Sequence, residues 1–462
     1  MNLPLNGRIA IIDDKIEQAI PLMNVLSQKR YPYSYYSGEV QFLPDQNDIS
    51  NDIRILFLDI NLIDDQVREE KVLRGRLIPV LKRVISPSNY PYVVVYWSRT
   101  ENELKKMVED MFDQNLSDRK PIAYLSQNKL DFFNLDGSKT DEFDEKLTTL
   151  FSEIFELLGK LPSYNYLLNW ENHVHCATDK TLQEIFKSCH TPESWSDNAG
   201  FLIDKLGLSY TGKNSYKNFS AEQKIKSSFQ AFNNLFYDTL EYTINNFNYP
   251  NAVEVVYDNK LVDKENIYSV NKKILLSDDI TYMAYSGAVT EDINTRSDNV
   301  FNELLNNTLN RTNIESAAKE NAQASGKEED EIEKIVKKSV QDMRKEIRKS
   351  WKKIYFVVTP LCDYVQGKYY NIRVVKGFLL KGDLLKYIDQ RSEAIFISPR
   401  FKYNNEVYAI VLHFRYFFTS LGPEGFKGLS PLFRVRHELL SEVQSKLARH
   451  VNRQGVLFID ED

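Results

Sequence analysis

The first 160 residues repeat one pattern: a short apolar run that stops at polar or acidic residues, followed by a stretch with helical spacing. RIAIID, IRILFLDI, YVVVYWS and PIAYLS are continuous apolar runs of strand length. KIEQAIPLMNVLSQK places Ile16, Ala19, Ile20, Met23 and Leu26 near a 3.6-residue period, with Pro21 as a kink or a first-turn residue. TENELKKMVEDMF sets Thr100 three residues before Glu103, the spacing of a capping box, and EFDEKLTTLFSEIFELLGK closes the segment as a helix. Apolar strands alternating with helices predict a doubly wound, parallel, five-stranded α/β sheet covered on both faces. The ligand site of such a sheet lies beyond the carboxyl ends of its strands.

Those ends carry the chemistry. The first run ends in Asp13 and Asp14, the second in Asp59 with Asn61 just after it, the third in Ser98, and Lys129 follows the last. Strand-end Asp and Ser are ordinary turn formers taken singly. Taken together, three carboxylates converging on one edge cannot all stay ionised without a compensating cation. Hard oxygen donors of this kind suit Mg²⁺.

In this order, IAIIDDKIEQA, ILFLDINL, VVVYWSRT and AYLSQNK resemble the receiver domain of bacterial response regulators over about residues 6–160, a third of the chain. The resemblance implies that Asp59 is the phosphoacceptor. It implies Mg²⁺ held by Asp13, Asp14, Asp59 and the main-chain carbonyl of Asn61, with Ser98 as switch hydroxyl and Lys129 pairing with the phosphoryl group. It implies a histidine kinase or phosphotransfer protein as partner, and the bacterial conflict and antiviral defence setting is one it allows. The sequence departs from the family in INLIDDQVREE after Asp59, which lacks the proline and Asp-Gly turn, in a longer gap to Ser98, and in Arg99 where a small residue is usual. Lys120-Pro121 imitates the family's Lys-Pro pair but precedes the last strand. A pseudo-receiver that is never phosphorylated is the competing reading of the same residues.

Residues 161–350 read as an all-α region with polar joints and a flexible Asn-rich and charged linker around 294–330; Ile332, Ile335, Val336, Val340, Met343 and Ile347 form one narrow stripe. Residues 351–462 turn to strands (KIYFVVTPL, YNIRVVKGFLL, AIFISPRF, EVYAIVLHFRYFF) and one helix, a β-rich α+β output module with a protein partner. HVHC at 173–176 with Cys189 and His190 can be written as a zinc pattern, but adjacent Cys189 and His190 cannot both face one metal without strain. Cys362 with His413 could form a nucleophilic pair for an effector hydrolase, yet no oxyanion feature accompanies them. Arg415, Arg434, Arg436, Arg449 and Arg453 could form a basic face for nucleic acid.

Composition narrows the setting. Residues 1–160 hold 20 Lys and Arg against 26 Asp and Glu, and residues 351–462 hold 17 against 11, so neither end is a strongly basic nucleic-acid arm. Three scattered cysteines make no disulfide framework. With no apolar run near the ~20 residues of a membrane span and no signal-like start, the expectation is a cytoplasmic chain without a membrane partner.

Overall fold

The computed structural model describes residues 8–45, 52–62, 69–87, 89–98, 101–134, 138–187, 192–249, 254–263, 265–277, 285–294, 298–325, 328–365, 370–421, 426 and 429–452. The chain divides into two compact units, residues 1–206 with 228–256 and residues 207–227 with 257–462.

The first unit opens with β1 (Ile9–Ile12), α1 (Ile16–Gln28), β2 (Tyr33–Tyr36), β3 (Ile55–Asp59), α2 (Glu70–Val84), β4 (Val93–Ser98), α3 (Glu101–Asn115), β5 (Ala123–Asn128) and α4 (Phe143–Gly159). The five strands are all parallel in the order β2-β1-β3-β4-β5. Alternate residues of each strand point to opposite faces. Ala10, Ile12, Leu56, Leu58, Val94 and Tyr96 therefore pack with α2 and α3. Ile9, Ile11, Ile55, Phe57, Val93 and Val95 pack on the other side with α1 and α4. Burial on both faces is why these strands are continuous apolar runs. The order reverses between β1 and β3, and in sheets of this kind such a switch point is where ligands bind, beyond the strands' carboxyl ends.

Pro21 lies inside α1, where it removes one backbone donor while its ring is buried. The edge strand β2, YSYY, is half-buried throughout and interrupts no apolar pattern in the sequence, so the sequence reading does not locate it.

The helical part continues with α5 (Pro162–Phe186), α6 (Trp195–Thr211), α7 (Lys213–Tyr216) and α8 (Ala221–Asn245). Packing of the first unit runs past residue 160: Tyr164 and Leu168 of α5 are buried in the same cluster as α1 and α4. Tyr164 donates its hydroxyl hydrogen to the Arg54 carbonyl, and the Arg54 guanidinium grips Glu171 through Nε and a terminal nitrogen at 2.8–3.1 Å. Farther along, Phe186 of α5 meets Phe232 of α8, and Ser228 Oγ bonds the Ile203 carbonyl at 2.9 Å.

The second unit adds α9 (Glu265–Leu275), β6 (Leu276–Ser277), β7 (Ala288–Asp292), α10 (Asp298–Thr308), α11 (Arg311–Ala324), α12 (Glu329–Ser350), β8 (Lys352–Val357), α13 (Leu361–Val365), β9 (Asn371–Lys381), β10 (Ile395–Ile397), β11 (Phe401–Tyr403), β12 (Glu406–Leu421), β13 (Leu429–Val435) and α14 (His437–Val451). An eight-stranded antiparallel sheet runs β10-β12-β9-β8-β7-β13-β6, with β11 on β12. The β-rich C-terminal region is thus present, but the region before residue 351 is not purely helical. β6 and β7 join this sheet, and β7 lies between β8 and β13. They are short, and β7 (AVTED) ends in carboxylates, so neither shows as an apolar run. One sheet face packs on α14 and the other on α10, α11 and α12, where Val340 and Ile347 of the α12 stripe are buried.

Candidate functional site

Strand register decides which side chains meet at the carboxyl edge. Ile12 of β1 pairs with Leu58, so Asp59 and Asp13 each follow the last paired position of adjacent strands. Asp59 pairs with Trp97, which sets Ser98 one residue farther out, beside Asn128 of β5. Ser98 is placed here by its backbone alone, since its side chain lies outside the described residues.

Asp13, Asp14 and Asp59 each offer a carboxylate oxygen within 4.8 Å of the others. Asp13 and Asp59 are fully buried, whereas Asp14 is half-buried on the solvent side. Lys129 is buried with them, its ammonium bonded to Asp59 Oδ2 and 4.0 Å from Asp13 Oδ2. The short helical turn Lys129–Asp131 carries it, with the Asn128 side chain accepting the Leu130 N–H at 3.0 Å. That cap fixes the chain direction out of β5 and so aims Lys129 inward.

Backbone donors hold the acids. The Lys15 N–H donates to Asp13 Oδ1 at 2.8 Å, and the Asn61 N–H to Asp59 Oδ1 at 3.0 Å. The Tyr35 hydroxyl of β2 donates to the Asp13 carbonyl at 2.8 Å. Asp13 Oδ2 is buried with no hydrogen bond of its own.

One ammonium cannot neutralise three carboxylates. Burial, then the Asp59 charge, pushes the Asp13 carboxyl up to about 7. The same two causes raise Asp14. Burial works against the Lys129 ammonium, but the charges of Asp59, Asp13 and Asp14 together outweigh it and hold its pKa above the ordinary value. The orphaned Asp13 oxygen and an all-carboxylate donor set fit a metal ion, and the triad could hold one.

The structure therefore brings together Asp13, Asp14, Asp59 and Lys129, with Asn61 at the turn after Asp59. Tyr35, Lys15 and Asn128 are the supporting residues that sequence reasoning did not assign. Asn128 had a signal, being a capping residue type directly before Lys129, whereas Tyr35 reaches the site only through the pairing of β2 with β1. Lys120 stands at the opposite end of β5 and pairs with Asp113. Arg99 and residues 63–68 of the loop after Asp59 lie outside the described residues.

The weaker constellations have other employment. His173 is buried on α5, with Nε2 2.8 Å from the Tyr249 hydroxyl and its ring edge-on to Phe247, while Cys189 and His190 lie outside the described residues. Among the described residues the acidic triad is the one metal-type group. His413 is buried in β12, with Nδ1 accepting the Arg415 N–H at 3.4 Å; burial, then Arg415, pushes its pKa down to about 4. The Cys362 side chain lies outside the described residues. Arg434 bonds Ser277 Oγ and stacks on Tyr285, and Arg436 bonds the Leu276 carbonyl. Both arginines clamp β6. Arg415 and Arg449 are exposed, and Arg453 lies outside the described residues.

No protein-family model, curated protein or solved structure matches this chain.

Proposed function

We propose that the first unit is a phosphoacceptor switch of the receiver type, with Asp59 accepting a phosphoryl group from the phosphohistidine of a kinase or phosphotransfer protein. The observation that carries this reading is the buried Lys129–Asp59 pair beside Asp13, whose Oδ2 is buried without a hydrogen bond, at the β1/β3 switch point.

In the transfer, an Asp59 carboxylate oxygen attacks phosphorus and the P–N bond breaks; the donor ring, protonated on its other nitrogen, takes the bonding pair and leaves as neutral imidazole. Mg²⁺, held by oxygens of Asp13, Asp14 and Asp59 and the Asn61 carbonyl, would supply the positive charge that lets a carboxylate approach a phosphoryl group. Lys15 and Asn61 orient the two carboxylates through their amides. The Lys129 ammonium, freed from Asp59 Oδ2 as that oxygen forms the acyl phosphate, would turn to the new phosphoryl oxygens. Ser98, whose backbone ends β4 beside Asn128, is the residue to which the receiver reading gives the switch hydroxyl. The added charge and acceptor oxygens would shift the β4–α3 edge and so a protein-binding output.

The test is intact-mass measurement after incubation with acetyl phosphate and Mg²⁺. A gain of one phosphoryl group in the wild type, absent in Asp59→Asn and in the presence of EDTA, is expected. An unmodified wild-type mass would favour the pseudo-receiver.

A further inference from the structure

The antiparallel sheet of the second unit carries an amine, a phenol and a carboxylate together on the face that α10 covers. Directly opposed residues of antiparallel strands share a face, so the register sets Thr290 of β7, Tyr355 of β8 and Lys376 of β9 in one row. Asp292, two residues along β7 from Thr290, points the same way. Its Oδ2 accepts the Tyr355 hydroxyl at 3.0 Å and its Oδ1 the Asn294 N–H at 2.9 Å. Toward β12 the row stops at a bulge. Leu412 pairs with Gly377 and Phe417 with Val375, which leaves Lys376 opposite the unpaired residues His413–Tyr416.

The Lys376 ammonium is surrounded by rings rather than by acceptors. Its Nζ lies 5.1 Å from the ring centroid of Phe418, 5.7 Å from that of Tyr355 and 6.0 Å from that of Phe301. Among the described residues it makes no hydrogen bond or ion pair. Lys353 shows the ordinary alternative. It too lies over Phe301, at 5.6 Å, but it bonds Asp298 Oδ1 and the Asn294 carbonyl, each at 2.7 Å. Phe301 is fully buried, whereas Tyr355, Lys376 and Phe418 are half-buried, so solvent reaches the amine. Thr290 Oγ1 is a further unmatched group in the row, buried without a hydrogen-bond partner.

Burial holds the Lys376 pKa below the ordinary lysine value, and the Asp292 charge offsets this only in part. Burial, then the Asp292 charge, raises Tyr355, so its hydroxyl stays protonated. A desolvated lysine is a nucleophile, and charge selects what it reacts with. Acylation would abolish the positive charge beside Asp292, and addition to carbon dioxide would set a carbamate anion there. Condensation with a carbonyl compound keeps the cation.

We propose that Lys376 condenses with an uncharged, conjugated aldehyde to form a protonated imine among Phe301, Tyr355 and Phe418. The Nζ lone pair adds to the carbonyl carbon, the carbonyl oxygen takes up a proton, and the resulting hydroxyl is protonated and leaves as water. Overall, an ammonium and an aldehyde give a protonated imine and water, with no oxidant or reductant. The imine carries one N–H where the ammonium carries three, which suits a site of rings with few acceptors. Its delocalised cation keeps the ring contacts and the Asp292 counter-charge. An anionic aldehyde would bring a second negative charge toward Asp292.

The experiment is incubation of the full chain with benzaldehyde and cyanoborohydride, which reduces the imine to a stable secondary amine, followed by peptide mass mapping over time. Lys376 should be labelled at least tenfold faster than neighbouring Lys353 and than the exposed Lys226 and Lys337. Tyr355→Phe should slow labelling of Lys376 at least threefold and leave Lys226 unchanged; a general loosening of the sheet would instead speed Lys353. Labelling of Lys376 no faster than that of the exposed lysines overturns the proposal. If Tyr355→Phe does not fold, the wild-type rates decide alone. Relative to Lys226, equally fast labelling of Lys376 by 4-carboxybenzaldehyde and by benzaldehyde overturns the assignment to an uncharged compound.

Discussion

Lys129 is the residue on which the acidic edge balances. Its ammonium is the cation among three carboxylates, two of them fully buried. Removing one partner of a buried ion pair typically costs about 3–5 kcal/mol, because the remaining charge is left uncompensated. Lys129→Met is therefore expected to destabilise the metal-free first unit by about 3 kcal/mol at pH 8, and by less at pH 5, in urea titrations monitored at both pH values. Asp13 supplies the opposite test. Its folded-state pKa of about 7 lies above the ordinary 3.8, so between those values the folded protein binds the proton more tightly than the unfolded chain. Stability conferred by this group is present below pH 4 and is lost as pH rises through about 7. The difference in melting temperature between wild type and Asp13→Asn, in EDTA, should thus move in favour of the variant across that window. Mg²⁺ at pH 8 should raise the wild type more than the variant. The buried His413 titrates with the opposite sign, and the paired comparison cancels it. At this scale the sequence was informative where chemistry sits at strand ends: Asp13, Asp14, Asp59 and Lys129 are legible because parallel strands deliver their termini to one edge. Tyr35 was not, because its reach to the Asp13 carbonyl depends on the register of a strand with no apolar signature.

Elements were legible in proportion to how completely they are buried. β1, β3 and β4 bury both faces and stand out as runs, whereas β2, β6 and β7 are short, polar or half-exposed. The long pair β9 and β12 was visible, but not the close contact at its centre. A Cβ on Gly377 would overlap the Val411 carbonyl oxygen and lie 3.0 Å from the Leu412 Cα, both main-chain atoms. The register between these strands shifts just beyond, between Leu412 and Phe417. Gly377→Ala must displace a strand rather than a side chain, and a loss of about 3 kcal/mol is expected, the upper end for overpacking. Chemical denaturation of the variant checks it, and a change under 1 kcal/mol would contradict the close approach.

For the whole molecule, the sequence suggested a break after residue 160, where helical patterns lengthen. The packing crosses that point, since Tyr164 and Leu168 complete the cluster beneath α1 and α4 and the Arg54–Glu171 pair fastens the next turn. Leu168→Ala should accordingly lower the stability of the first unit by about 3 kcal/mol, as expected for a buried leucine. If α5 were an independent element, the unit's unfolding transition would not move. Composition gave no hint of this, because a helix docked by two residues per turn looks the same in sequence whichever neighbour it docks on.

The division between the units falls within α6, after Leu206, and within α8, after Ser227, before a third passage at Val256. Neither unit is thus a single stretch of polypeptide. A protease nick near residue 207 would produce two fragments, and the C-terminal one would still contain residues 228–256 of the first unit. Those residues are held by the Phe186–Phe232 contact, the Ser228–Ile203 bond and the Tyr249–His173 bond. The nicked protein should elute as one species in gel filtration and separate only in denaturant, behaving as a complemented pair of chains.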